Sequence, residues 1–89
     1  MKARSRRRGL TWYTKPHCGL CDAAWPHVAR AARVLRIDVA SLDVSSDADL
    51  VSRYGMRLPV LADGDDVLAE GAISRGEVWR ALLRVRFGR

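Results

Sequence analysis

Cys18 and Cys21 are the only cysteines in this chain of 89 residues, and two residues separate them. A Cys-x-x-Cys pair can clamp a metal ion, staple a loop, or pass electrons by thiol–disulfide exchange. What flanks the pair bears on the choice. A strand-like run, Leu10 to Thr14, ends at Lys15-Pro16 just before it, and a helical pattern opens at Gly19 just inside it. That order puts Cys18 at a helix start, where unpaired backbone N–H groups and the helix dipole stabilise a thiolate. Lys15 adds a positive charge nearby. Cysteines in such places lose their proton well below the usual thiol range. Cys21, one turn further in, is expected to be the less exposed thiol and can reach back to the same sulfur. Cys18 would then attack a substrate disulfide, and Cys21 would resolve the mixed disulfide.

The metal reading is short of ligands, because a structural zinc site usually takes four Cys, His or carboxylate groups. His17, adjacent to Cys18, has an awkward bite. His27 lies nearly two helical turns past Cys21 and round to another side. A zinc ion or cluster shared between two chains stays open, as does a pair of merely structural cysteines; redox exchange is the favoured reading. His17 reads as a solvent-facing residue that modulates Cys18 electrostatically, and His27 as surface or rim. Trp12 and Trp79 read as core, and Trp25 as core or substrate platform.

The elements that must position the pair can be read along the chain. Leu10–Thr14 is rich in aromatic and β-branched residues and reads as a strand. Gly19–Leu35 reads as a helix with Leu20, Ala24, Val28, Ala31, Val34 and Leu35 as its apolar stripe, kinked but not ended by Pro26. Ile37–Val44 alternates as a second strand. Ser46 offers an N-cap for a second helix that Gly55 stops. Pro59–Ala62 and Val67–Ala69 are short strands joined by Asp63-Gly64-Asp65-Asp66, a hairpin signal. Ser74-Arg75-Gly76-Glu77 is a capping box opening a last helix, whose Val78, Leu82 and Val85 share a face. The order is β-α-β-α-β-β-α. A right-handed crossover would make the first two strands parallel, and the hairpin would add antiparallel strands. The expected fold is α/β, a mixed four-stranded sheet with helices on both faces.

The length suits one small domain with a modest core. No apolar run approaches the roughly 20 residues that span a bilayer, so no membrane partner is expected. Two cysteines do not make a disulfide-stapled secreted scaffold, and a reducing, cytoplasmic compartment is the expectation. Of the net charge of +6, five units come from Lys2, Arg4, Arg6, Arg7 and Arg8. From Gly9 onward, eleven basic residues face ten acidic ones, or +1. The organisation expected is a basic flexible arm over 1–8 and a nearly neutral domain over 9–89. The run SRRRGL superficially resembles a twin-arginine export signal, but the roughly 7–15 apolar residues such a signal needs do not follow it.

These residues resemble the thioredoxin superfamily, and specifically short bacterial glutaredoxin-like proteins, over Leu10 to Leu83. YTKPHCGLC is similar to the active-site strand and loop of glutaredoxins. DLVSRYGMRLPVLADG is similar to the family's second helix, its cis-proline loop and its hairpin. The resemblance implies a thioredoxin-like, glutaredoxin-type fold. It also implies a dithiol–disulfide oxidoreductase with Cys18 as nucleophile and Cys21 as resolving thiol, whose redox group is the pair itself. Pro59 would be the cis-proline facing the cysteines, Leu58 would offer its backbone to an extended substrate, and Lys15 would match the lysine near the glutathione carboxylate. Pro26 would match the kink proline of thioredoxins.

Glutaredoxins commonly hold glutathione with a Gly-Gly-x-Asp stretch near the start of the last helix. Glu70-Gly71-Ala72-Ile73-Ser74 stands there in this chain. The expected substrates are disulfides of proteins or small molecules, with glutathione or a thioredoxin reductase as electron donor and no other cofactor. A monomer is expected, without a nucleic-acid partner. The alternative is a non-catalytic module of the same fold that presents its basic arm to nucleic acid or an acidic partner.

Overall fold

The computed structural model describes residues 9–88; the basic arm expected over 1–8 lies outside the described residues. The elements are β1 (Gly9–Thr14), α1 (Gly19–Leu35), β2 (Asp38–Asp43), α2 (Ala48–Tyr54), β3 (Val60–Asp63), β4 (Asp66–Glu70) and α3 (Arg75–Phe87). The expected order holds throughout. One sheet runs β2-β1-β3-β4, with β1 and β2 parallel and the remaining pairs antiparallel.

Strand alternation sends side chains to two cores. Leu10, Trp12 and Leu61 point to the face covered by α1 and α3, where they meet Ala24, Val28, Ala31, Val78 and Leu82. Val60 and Ala62 point to the other face and pack with Tyr54 of α2, while Tyr13 and Leu50 pack against them. Helices therefore cover both faces, and the fold class is the one expected.

The helix α1 runs unbroken through Pro26, and its buried face keeps Ala24, Val28 and Ala31 of the stripe expected from sequence but not Leu20 and Val34. Cys21, Ala24, Val28, Ala31 and Ala32 are buried, whereas Leu20 and Val34 are exposed. Small residues hold the inner face because α1 packs against both the sheet and α3, leaving room for little more than alanine at the crossing.

A second correction concerns α2. Its N-cap is Asp47, not Ser46: the Asp47 carboxylate accepts the N–H groups of Asp49 and Leu50 at 2.9 and 3.2 Å. Either residue type can cap, but an ionised carboxylate answers the positive helix end better than a hydroxyl does. Gly55 does end α2, in right-handed rather than left-handed geometry. Its lack of a side chain matters because a Cβ there would meet the Val51 carbonyl oxygen at 2.5 Å.

The helix α3 begins with the expected capping box. Ser74 Oγ accepts the N–H of Glu77 at 3.1 Å, and the Glu77 carboxylate accepts the N–H of Ser74 at 2.9 Å. The bond from the Ser74 backbone, then that from its side chain, hold the Glu77 carboxyl below the usual carboxylate range. A carboxyl lowered in the folded state stabilises it above its unfolded pKa, and that contribution fades as acid protonates it. Replacing Ser74 with Ala should cost about 1 kcal/mol at neutral pH. A urea titration checks this, and the deficit should shrink toward pH 3, where the reciprocal bond is already weakened.

Candidate active site

Cys18 is the N-cap of α1, in extended backbone geometry, and its sulfur rather than a hydroxyl or carboxylate oxygen occupies the capping position. Cys18 Sγ accepts the N–H of Cys21 at 3.2 Å, and the Cys18 carbonyl accepts the N–H of Asp22 at 3.0 Å. The two sulfurs are bonded to each other, with Cα atoms 5.2 Å apart. A neutral thiol accepts hydrogen bonds weakly, so the Cys21 N–H and the helix dipole reward the thiolate form of Cys18 most. The order of exposure is the one expected, 9% for Cys18 against 1% for Cys21. Even the outer cysteine is nearly covered.

The elements deliver the pair to this spot by a short reversal after β1. His17 takes a φ of 59°, in the left-handed region that few residues other than glycine and asparagine adopt readily. Its side chain is exposed, as expected. The backbone role of His17 as the bend between strand and helix was not apparent from its sequence context.

Both cysteines belong to the α2-side core, together with Val44, Tyr54, Leu58, Val60 and Ala62. Leu58 is thereby placed beside the pair. The Leu58–Pro59 peptide bond is cis, and the Pro59 ring is fully buried. The loop leading to Pro59 is held by one donor, the Gly71 N–H, shared between the carbonyls of Arg57 at 3.0 Å and Pro59 at 2.9 Å. Gly71 reaches that position with a φ of 71°, which a residue with a side chain would resist.

Two open grooves flank the site. One, of about 340 Å³, is lined by Lys15 and Leu58 with Val44, Val51 and Met56. The other, of about 240 Å³, is lined by Cys21 and Asp22 with Trp12, Trp25 and Pro26. Lys15 and Leu58, both expected at a substrate surface, thus share one groove. Trp25 is half-buried with its ring centroid 5.7 Å from that of Trp12, so it serves both core and groove wall. His27 is partly buried and lines neither groove. Among the described residues, no three His, Cys, Asp or Glu side chains converge as a metal site.

One pair near the cysteines escaped the sequence reading. Tyr13 and Tyr54 stack with centroids 4.3 Å apart, and the guanidinium groups of Arg57 and Arg53 lie 5.4 and 6.0 Å from the Tyr54 ring. Burial first, then Tyr54 itself, push the Tyr13 phenol above its usual range. The two tyrosines belong to different elements, and no local pattern links them.

A family model described as Glutaredoxin-like domain (DUF836) matches residues 9–84. The chain belongs to this family. Solved structures share the fold, the following three among them. Thioredoxin 1 from Thermosipho africanus is 20% identical, with a TM-score of 0.64, over 86% of this chain and 92% of that one. Protein Ne2328 from Nitrosomonas europaea is 19% identical, with a TM-score of 0.67, over 88% and 94%. A mutant thioredoxin from Halobacterium salinarum is 26% identical, with a TM-score of 0.62, over 88% and 73%. No curated protein matches the sequence. A glutaredoxin-like member of the thioredoxin fold with a bonded Cys-x-x-Cys pair supports a redox-type function. No helix among the described residues is long and apolar enough to cross a membrane.

Proposed function

We propose that this glutaredoxin-like protein is a dithiol–disulfide oxidoreductase acting on protein or small-molecule disulfides. The observation that carries the reading is the Cys18 sulfur, which caps α1 and is bonded to Cys21 one turn inside the helix. In the reduced protein the Cys18 thiolate attacks one sulfur of a client disulfide. A bond forms between Cys18 and that sulfur, and the other client sulfur leaves as a thiolate and takes up a proton. Cys21 then gives up its proton and attacks the Cys18 sulfur. The mixed disulfide breaks, the second client thiol departs, and the Cys18–Cys21 disulfide is restored. The client has gained two electrons and two protons, and a donor must return two of each to the pair.

The remaining residues serve this exchange. Leu58 presents backbone to an extended client strand and Pro59 forms the wall behind the sulfurs. Lys15 attracts a client or donor carboxylate at the groove they share. His17, exposed beside Cys18, tunes the thiolate through its charge.

The donor in this reading is a thioredoxin-reductase-type enzyme in preference to glutathione. Two features support that choice. The segment Glu70–Ser74 lacks the aspartate of the glutathione-holding element. The Ser74 N–H at the start of α3 is also already taken by the Glu77 carboxylate. Oxidised protein should regain free thiols faster with a thioredoxin-reductase system than with millimolar glutathione. Thiol appearance followed under each donor tests this. Rapid turnover by glutathione with a stable Cys18–glutathione adduct would make the protein a conventional glutaredoxin instead.

A further inference from the structure

The charges of the described residues sum to zero but are divided unevenly between two groups of elements. The layer made by α1 and α3, with Arg36 at the end of α1, carries Arg30, Arg33, Arg36, Arg75, Arg80, Arg84 and Arg86 against Asp22 and Glu77, or seven minus two, +5. The other described elements carry Lys15, Arg53 and Arg57 against Asp38, Asp43, Asp47, Asp49, Asp63, Asp65, Asp66 and Glu70, or three minus eight, −5. All seven arginines of the helical layer are exposed. Helix C-termini favour cations, which accounts locally for Arg33, Arg84 and Arg86 in last turns. It does not account for Arg30, Arg75 and Arg80.

The chain path extends this positive layer away from the cysteines. The helix α1 starts at Cys18 and ends at the opposite pole, where Arg86 Nε donates to the Leu35 carbonyl at 3.1 Å and joins the ends of α1 and α3. Gly9 pairs with Asp38 at the same pole.

We infer that the α1–α3 layer docks the phosphate backbone of a nucleic-acid duplex, leaving the cysteine pair at the far pole free for exchange. Charge complementarity and the arginine side chain support this occupant. A planar guanidinium fork matches phosphate in two hydrogen bonds, and no lysine stands at any of the seven positions. The other described elements are net acidic and would be repelled by the duplex, so binding would also orient the domain. This inference does not depend on the redox reading, because its surface shares no residue with the groove of Lys15 and Leu58.

The test is anisotropy of a fluorescein-labelled, mixed-sequence DNA duplex with the full chain, repeated with Arg30, Arg33, Arg80 and Arg84 all changed to Gln. Four phosphate contacts correspond to an affinity loss of roughly a hundredfold or more between about 50 and 200 mM salt. The native chain should show at least that loss, and the Gln variant should bind at least about tenfold more weakly at the low salt with a shallower dependence. The same four positions changed to Lys should bind nearly as the native chain does, and unchanged thermal melts would exclude misfolding. Three results would overturn the inference. They are no duplex binding by the native chain at low salt, equal binding by the Gln variant (which would assign the affinity to residues 1–8), and tighter binding to polyglutamate than to the duplex.

Discussion

Cys18→Ser should bring disulfide reduction down to the uncatalysed background, while Cys21→Ser should keep the first attack and stall after it. The asymmetry follows from the helix start. Only Cys18 sits at the N-cap with a backbone N–H directed at its sulfur, and it is the less buried of the two, 9% exposed against 1%. Cys21 lies one turn inside and is almost fully buried, so its part comes after Cys18 has attacked the client. Intact-mass spectrometry after exposure to a small disulfide separates the two variants. Cys21→Ser should accumulate a mixed disulfide on Cys18, and Cys18→Ser should stay largely unmodified. Preferential adduct formation on Cys21 would reverse the roles.

The largest stability effect expected outside the site is Trp12→Ala. Trp12 is 1% exposed and is the largest fully buried side chain, set between β1, α1 and α3. Truncating a buried tryptophan typically costs about 3–5 kcal/mol through lost transfer energy and the cavity left behind. Small domains hold only about 5–15 kcal/mol in total, so the variant should lose a large share of its stability. Urea titration followed by far-ultraviolet circular dichroism would measure it. Trp25→Ala should cost clearly less, because Trp25 is only partly buried and lines the groove. Equal costs at the two positions would show that the core is not centred on Trp12.

The parts of this account legible in the sequence were those set by local chemistry. The bounds of α1, the capping box at Ser74 and the hairpin at Gly64 each rest on residues within one turn of one another. Gly64 occupies the first turn position with a φ of 62°, the conformation that makes glycine necessary there. Where two local signals competed, the sequence was ambiguous: Ser46 and Asp47 are both good caps, and only the three-dimensional path of the chain selects Asp47. The middle of the inner face of α1, Ala24, Val28 and Ala31, was legible too. Its ends were not, because whether Leu20 or Cys21 and Val34 or Ala32 turn inward depends on packing with the sheet and α3.

The candidate site divided in the same way. Cys18 and Cys21 stood out by spacing alone, and Lys15, Leu58 and Pro59 by family resemblance. The stacking of Tyr13 on Tyr54, the φ of His17 and the hold of Gly71 on the loop before β3 are tertiary facts. So is the gathering of exposed arginines on the layer of α1 and α3, since a charge count along a chain carries no information about which elements share a layer.

The most direct measurement of the central claim is a single-turnover reaction of reduced native protein with a disulfide-bonded peptide, with both partners quantified by mass. The account predicts that one peptide disulfide becomes two thiols for each protein molecule that loses two hydrogens, with Cys18 and Cys21 recovered as the bonded pair. Peptide that stays oxidised while the protein keeps both thiols would contradict it.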